Sequence, residues 1–363
     1  MISISLCLIV KNEEDTIVRC LNSVKDIVDE INIVDTGSTD KTKELVANFT
    51  DRIYDFVWVD DFAKARNYAF EQATKDYIMW LDADDVLLEK DRNMLLELKE
   101  SLKPNVDSVM MYYNLTTDEF GNVTSRLKRN RLVKRSGNFK WIGAVHEYLE
   151  VRGDIIQSDI AITHKSIHHD SDRNLQIYEK QLSRNENFSP RDLYYYANEL
   201  FDHRKLEQAI TYYQKFLNTG KGWIEDRIAA LGKIADCYFV IGNKESAFES
   251  ILQSFRYDRP RPENCCRLGY YFLTENAYHQ AIYWYKTAID YENLEDSIGI
   301  VNLNCSTWLP NLQLCICYYQ LGNNKLAYHY NEVARRYRPN DERILHNKRF
   351  FESILKDEIY EKE

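Results

Sequence analysis

What the chain lacks narrows its identity first. No apolar run reaches the ~18 residues that a membrane-crossing helix needs, so no transmembrane segment is expected. The opening "MISISLCLIV" has neither a basic start nor a small-residue cleavage site, and the charged "KNEED" follows at once. It does not read as a secretory signal, and a cytoplasmic protein is the expectation. Basic charge is short, with 47 Lys and Arg against 57 Asp and Glu, a net charge of −10. That disfavours a general nucleic-acid binder, although a metal ion or a local basic cluster could still hold an anionic substrate. The eight cysteines show neither zinc-site spacing nor an obvious disulfide framework, so free, mostly buried thiols are expected. Gly-x-Gly-x-x-Gly and Walker loops are missing as well, which removes the ordinary dinucleotide and P-loop readings.

What is present divides into two halves. A length of 363 residues is too much for one ordinary core, and 44% hydrophobic with 29% charged residues fits a soluble globular protein. The first half alternates strand and helix signals. Strands are expected at "SISLCLIV" (3–10), "INIVD" (31–35), "RIYDFVW" (52–58) and "YIMWLD" (77–82). Helices are expected between them at 14–24, 39–49 and 62–74. This order implies a mostly parallel sheet with helices on both faces, and such sheets bind ligands at the carboxyl ends of their strands. Lys11–Glu13, Asp35–Thr39 and Asp82–Asp85 then share one rim.

Beyond about residue 185 the character changes. Nineteen of the 26 tyrosines lie past residue 190, strand signals stop, and helical pairs recur at 193–217, 230–255, 264–289 and 311–339. Ala209, Ala247, Ala281 and Ala327 are spaced by 38, 34 and 46 residues, and twelve residues before each stands Ala197, Ala235, Gly269 or Cys315. Small residues at helix crossings with aromatics between them make a tetratricopeptide-like signature, Pro339 closing the last pair and "EDSIGIVNLNCST" forming an insertion. An irregular helical bundle is the alternative. The expected division is 1–185 for the α/β domain and 186–363 for the repeats.

The acidic tip "LDADD" after the fourth strand is the leading chemical feature. Asp82-Ala83-Asp84 can hold Mg²⁺ or Mn²⁺ against phosphate oxygens, although Asp-x-Asp alone is common in surface turns. Together, "SLCLIVKNEEDTIVRCLNSV", "EINIVDTGSTDKT" and "DDFAKARNYAFEQATKDYIMWLDADD" resemble the nucleotide-sugar-binding half of family-two glycosyltransferases of the GT-A fold. "FKWIGAVHEYLE" (139–150) resembles their acceptor-side block, and "KSIHH" (165–169) their later histidine segment. With the helical repeats, the set looks like the peptide S-glycosyltransferases that modify cysteine in bacteriocin precursors.

The resemblance implies roles. Lys11, Asn12 and Glu13 would lie near the nucleotide, Asp35 would bond the base, usually uracil, and Arg66 would lie near the diphosphate. Asp82, Ala83 and Asp84 would form the motif that holds the donor, Asp84 as direct metal ligand, with His168 or His169 completing the metal site. The family pattern there continues into Gly-Tyr, whereas this chain reads "HHDSD". Glu147 would be the general base. From the residues alone, Asp35 could equally cap a helix, Asp85 could be a helix-start acid or a support behind the ligands, and Glu147 could pair with Arg152 or Lys140. His146 reads as structural or acceptor-binding, and Trp141 as a stacking platform or as core. The expected activity is Mn²⁺- or Mg²⁺-dependent inverting transfer of a hexose, from a UDP-sugar, to a peptide or protein acceptor. A glycan or lipid-linked acceptor, or a non-catalytic scaffold, are the alternatives. A homodimer through the repeats is a further expectation.

Overall fold

The structure is a computed structural model and describes residues 1–167, 172–184, 186–291 and 299–360. It separates into two compact units, Met1–Thr116 with Arg126–Phe188, and Thr117–Ser125 with Ser189–Glu363.

The first unit is built on a twisted mixed sheet. Its opening part runs β1 (Ile4–Val10), α1 (Ile17–Asn22), β2 (Glu30–Asp35), α2 (Thr42–Val46), β3 (Ile53–Asp55), α3 (Phe62–Glu71) and β4 (Tyr77–Trp80). There follow β5 (Asp85–Leu87), α4 (Glu89–Ser101), the long strands β6 (Ser108–Thr117) and β7 (Val123–Lys134), β8 (Lys140–Ile142), β9 (Tyr148–Glu150), β10 (Ile155–His164) and α5 (Asp172–Ser183). The order across the sheet is β3-β2-β1-β4-β7-β6-β10-β5, and β8 pairs with β9 as a separate ribbon. β1, β2, β3 and β4 pair in parallel, as the alternating pattern requires, while β7 joins β4 antiparallel and extends the sheet beyond the expected four strands.

Strand parity explains the two faces. Leu6, Leu8 and Val10 pack with Ile17 and Leu21 of α1 and Leu95 of α4 on one side. Cys7 packs with Val34, Ile78 and Trp80 against Ala69 and Phe70 of α3 on the other. Helices α1 and α2 are shorter than the expected 14–24 and 39–49. The polar residues at their starts tie two loops together instead. Asn12 Oδ1 accepts from the Thr39 N–H at 2.8 Å, and Ser38 Oγ accepts from the Asn12 N–H at 3.0 Å. Asp40 Oδ2 accepts from the Glu14 N–H at 3.1 Å, and Glu14 Oε2 from the Lys41 N–H at 3.0 Å. Side chains that bond the backbone of another loop do not need the helix to satisfy them.

The second unit consists of helix pairs α6 (Pro190–Asp202) with α7 (Leu206–Asn218), α8 (Ile224–Ile241) with α9 (Lys244–Ser254), α10 (Pro262–Thr274) with α11 (Tyr278–Ile289), and α12 (Trp308–Gln320) with α13 (Asn324–Tyr337). Helix α14 (Glu342–Tyr360) follows. The pairs match the four expected repeats. Ser189 and Asp192 form a capping box that starts the first of them. All four anchor alanines are buried, as are their small partners Ala197, Ala235 and Cys315. Gly269 shows why the position must be small, because a Cβ there would lie 2.6 Å from the Tyr285 ring. Part of the insertion between the third and fourth pairs, residues 292–298, lies outside the described residues. All eight cysteines are free and buried. Among the described residues, no helix is long and apolar enough to cross a membrane.

Candidate active site

The carboxyl ends of β1 and β4 open onto a cleft of about 450 Å³ whose wall includes Lys11, Glu13, Arg66, Asp82, Asp84 and Glu147. This is the rim on which sequence reasoning put the chemistry. Ala83 lies on the same wall. Asn12 adopts φ +56°, a left-handed turn that asparagine tolerates, and its side chain holds the neighbouring loop. Glu13 is pushed above the usual carboxylate range by burial, against a hydrogen bond from Thr16, with the charges of Asp84 and Asp82 adding to the rise. Asp35 stands at the end of β2 with Oδ1 accepting from Gly37 N–H at 2.8 Å and Ser38 N–H at 2.9 Å. It therefore does cap the turn. Its Oδ2 is buried without a hydrogen-bond partner, and the cleft wall beside it is formed by Thr36.

The acidic tip is folded around one buried ion pair. Asp82 and Asp85 close a turn through Asp85 N–H to Asp82 O at 3.0 Å, and Asp85 Oδ2 accepts from Asp82 N–H at 3.0 Å. Arg131 of β7 donates to Asp85 Oδ2 at 2.9 Å and to Trp80 O at 3.2 Å, and both side chains of this pair are 0% exposed. The Arg131 guanidinium also stacks 3.8 Å from the Trp80 ring centroid and 4.3 Å from that of Tyr113. Asp85, expected as a helix-start acid or as a support behind the motif, takes the second role and anchors the motif from beneath.

The pairing of β10 with β5 sets His164 directly opposite Asp85. His164 Nδ1 lies 3.2 Å from Asp84 Oδ1, 3.6 Å from Asp85 Oδ1 and 3.0 Å from the Tyr113 hydroxyl. Hydrogen bonds to Asp84 and then Asp85, partly offset by burial, push the imidazole up to about 10. One donor atom each from Asp84, Asp85 and His164 lies within 4.8 Å of the others. Two hard oxygen donors and an imidazole suit Mn²⁺ or Mg²⁺, and the buried Asp85 Oδ1, whose nearest partner is His164 at 3.6 Å, fits a ligand atom. The expected histidines, His168 and His169, lie outside the described residues. His164 was missed because only the distant β5–β10 register brings it to the acids. The local signal was a polar residue ending the alternating "IIQSDIAITH".

Arg66, expected beside a diphosphate, is occupied differently. Its Nε donates to Glu147 Oε1 at 2.5 Å and its Nη2 to Asp82 Oδ1 at 2.6 Å. It is buried between two indoles, Trp80 at 5.0 Å and Trp141 at 4.9 Å from their centroids. Burial would raise Asp82, but the Arg66 and Arg131 guanidiniums outweigh it and hold that carboxyl well below its usual range. Glu147 thus pairs with Arg66 rather than with Arg152 or Lys140. Trp141 is 3% exposed and packs edge-on against Trp80 and Phe70. It is core, and it offers no ring face to the cleft as a stacking platform would. Arg129 and His146 also line the cleft. A larger cavity of about 510 Å³ lies in the helical unit, but its polar groups hold one another. There Arg267 grips Asp236 through two bonds of 2.7 Å, and Glu263 accepts from Asn302 N–H at 2.8 Å.

Comparison with known proteins finds similarity in both parts of the chain. The model of the family "Glycosyl transferase family 2" matches residues 5–152. The SPbeta prophage-derived glycosyltransferase SunS of Bacillus subtilis is 30% identical over 240 residues, 62% of this chain and 56% of that protein. A TPR repeat-containing protein of Synechococcus elongatus is 46% identical over 88 residues, 24% of this chain and 22% of that protein. A solved structure of glucosyl-3-phosphoglycerate synthase from Mycobacterium tuberculosis, with Mn²⁺ and UDP-glucose, is 15% identical with a TM-score of 0.35. It covers 52% of this chain and 81% of that one, a likeness too loose to carry function. The chain thus spans little more than half the length of SunS and under a quarter of the cyanobacterial protein. Residues 5–152, the mixed α/β part of the chain, match the glycosyl transferase family 2 model, and tetratricopeptide-like helical pairs follow in the same chain.

Proposed function

We propose that this chain is a metal-dependent inverting glycosyltransferase that moves a hexose from a UDP-sugar to a peptide or protein acceptor, with a cysteine thiol as the attacking group. Residues 1–185 would catalyse, and the repeats, 186–363, would hold the acceptor. The observation that carries the reading is the meeting, in one cleft of the part that matches the family-two model, of Asp84 and His164, with the buried Asp85 beneath them, and the Arg66-bound Glu147. The thiol acceptor rests on the resemblance to peptide S-glycosyltransferases.

Asp84, Asp85 and His164 would hold Mn²⁺ or Mg²⁺, which when bound neutralises the charge that builds on a departing diphosphate. His164 must give up its proton to serve as a ligand. Lys11 and Glu13, on the cleft wall, would border the donor, and Asp35 would take the base. Glu147 would accept the acceptor's proton as attack proceeds opposite the leaving group. A thiol eases that task, because its ordinary pKa of about 8.5 lies far below that of a sugar hydroxyl.

The test is turnover of a UDP-hexose by purified protein with Mn²⁺, with and without a chelator. Chelation should abolish turnover, and His164→Ala should raise the Mn²⁺ needed for half-maximal rate by about 10–100-fold. Full turnover after chelation would remove the metal from the mechanism, and an unchanged Mn²⁺ requirement would remove His164 from its site.

A further inference from the structure

We infer that Arg66 is a positioning residue that locks the attacking side of the site to the leaving side, rather than a ligand of the donor diphosphate. The inference rests on the glycosyl-transfer reading above. Its ground is a single guanidinium that joins two acids from different elements. Asp82 comes from the end of β4, and Glu147 from the loop between β8 and β9. The two bonds leave by different nitrogens, so the planar fork fixes both the separation of the carboxylates and their mutual angle.

Three further features hold the fork in place. The indoles of Trp80 and Trp141 lie 5.0 and 4.9 Å from its central carbon. Those rings pack edge-on against each other, with centroids 4.7 Å apart. The Phe62 N–H, at the start of the helix that bears Arg66, donates to Ala144 O at 2.8 Å and ties that helix to the loop of Glu147. Asn67 on the same helix exchanges hydrogen bonds of 3.0 and 2.9 Å with the Trp141 backbone. Arg66, Asn67 and Phe62 therefore hold one short segment, 141–147, against α3.

A guanidinium already bound to two carboxylates carries no surplus positive charge for a diphosphate. It also cannot lose its proton, so it neither gives nor takes one during transfer. What it supplies is alignment. Glu147 works as a base only if its free oxygen reaches the acceptor proton, and a misplacement of about 1 Å costs on the order of 100-fold in rate.

The experiment compares wild type, Arg66→Lys and Arg66→Ala in Mn²⁺-dependent turnover of a UDP-hexose, with UDP affinity measured by calorimetry. One ammonium cannot span both acids, so Arg66→Lys should lower kcat about 100-fold while the Kd for UDP stays within about threefold. The acid limb of its kcat/KM profile should move up by about one pH unit or more, because a buried carboxylate without its guanidinium holds a proton longer. Millimolar methylguanidine should restore kcat of Arg66→Ala at least ~10-fold and leave Glu147→Gln unchanged. If Arg66→Ala does not fold, the pH profile and the split between kcat and Kd in Arg66→Lys decide alone. A Kd for UDP weakened in step with lost turnover, or an unmoved pH profile, overturns the inference and leaves the transferase reading intact. Absence of nucleotide-sugar turnover in the wild type overturns that reading, and the inference with it.

Discussion

Replacing either member of the Arg131–Asp85 pair should unlatch the acidic tip. Both side chains are fully buried and 2.9 Å apart. Removing one member of such a pair costs about 3–5 kcal/mol, because the other remains as an uncompensated buried ion. Two contacts modify the figure. In Asp85→Asn the stranded guanidinium keeps the Trp80 carbonyl and two ring faces, and a desolvated cation–π contact is worth up to about 2 kcal/mol. In Arg131→Met the Asp85 carboxylate keeps only the Asp82 N–H and a 3.6 Å approach to His164, so this loss should be the larger one. Asp85→Asn/Arg131→Met leaves no buried ion, and its destabilisation should fall at least ~2 kcal/mol short of the sum of the singles. Native-state hydrogen exchange read by mass spectrometry on peptides spanning β4 and β7 resolves this locally, which a global melt of a two-unit chain does not. A loss of about 3 kcal/mol there appears as roughly a hundredfold faster exchange. Singles that each cost under ~1 kcal/mol and simply add would refute the latch.

Two other outcomes follow from the helical unit. Gly269→Ala puts a methyl 2.6 Å from the Tyr285 ring, and the overpacking, about 1–3 kcal/mol, should outweigh the ~1 kcal/mol gained in helix propensity. A urea midpoint at or above that of wild type would mean that the ring moves aside freely. Asp226, 9% exposed on α8, is pushed up to about 6 by burial, with Arg191 acting against the rise. The folded state then holds a proton that the unfolded chain releases from its ordinary value of 3.8 upward. Its contribution is complete below about pH 4 and is lost as pH climbs through about 6, up to ~3 kcal/mol in all. Asp226→Asn should flatten the fall in urea midpoint between pH 4 and 7, and an identical fall in both proteins would reject the assignment.

Much of the architecture was legible in local pattern. Apolar runs gave β1, β2 and β4 because buried parallel strands need both faces apolar, the edge strand β3 covers only part of the expected 52–58, and small residues twelve apart gave the helix crossings. Lys11, Glu13, Asp82 and Asp84 were legible as strand-end polar groups, Glu147 only through the family resemblance of its block, and the structure gathers all five on one cleft wall. What stayed hidden depends on pairing between distant segments. His164 reaches the acids only through antiparallel register with β5, and Arg131 reaches Asp85 only because β7 lies beside β4. Arg66 and Trp141 were visible as residues but not as partners, since a charge beside an indole on α3 could not be read from either segment alone. Asp40 and Glu14 looked like helix starts and are cross-loop acceptors, because a short acidic side chain bonds whichever amide the fold brings nearest.

The reciprocal ties between the turns after β1 and β2 have a consequence for variation in this chain. Each turn serves as the template for the other, so the lip they form keeps its outline before anything docks there, and little ordering entropy is charged to a newcomer. A change of preference at that lip should therefore come from exchanging single side chains on a fixed frame. Lengthening either turn would break both at once.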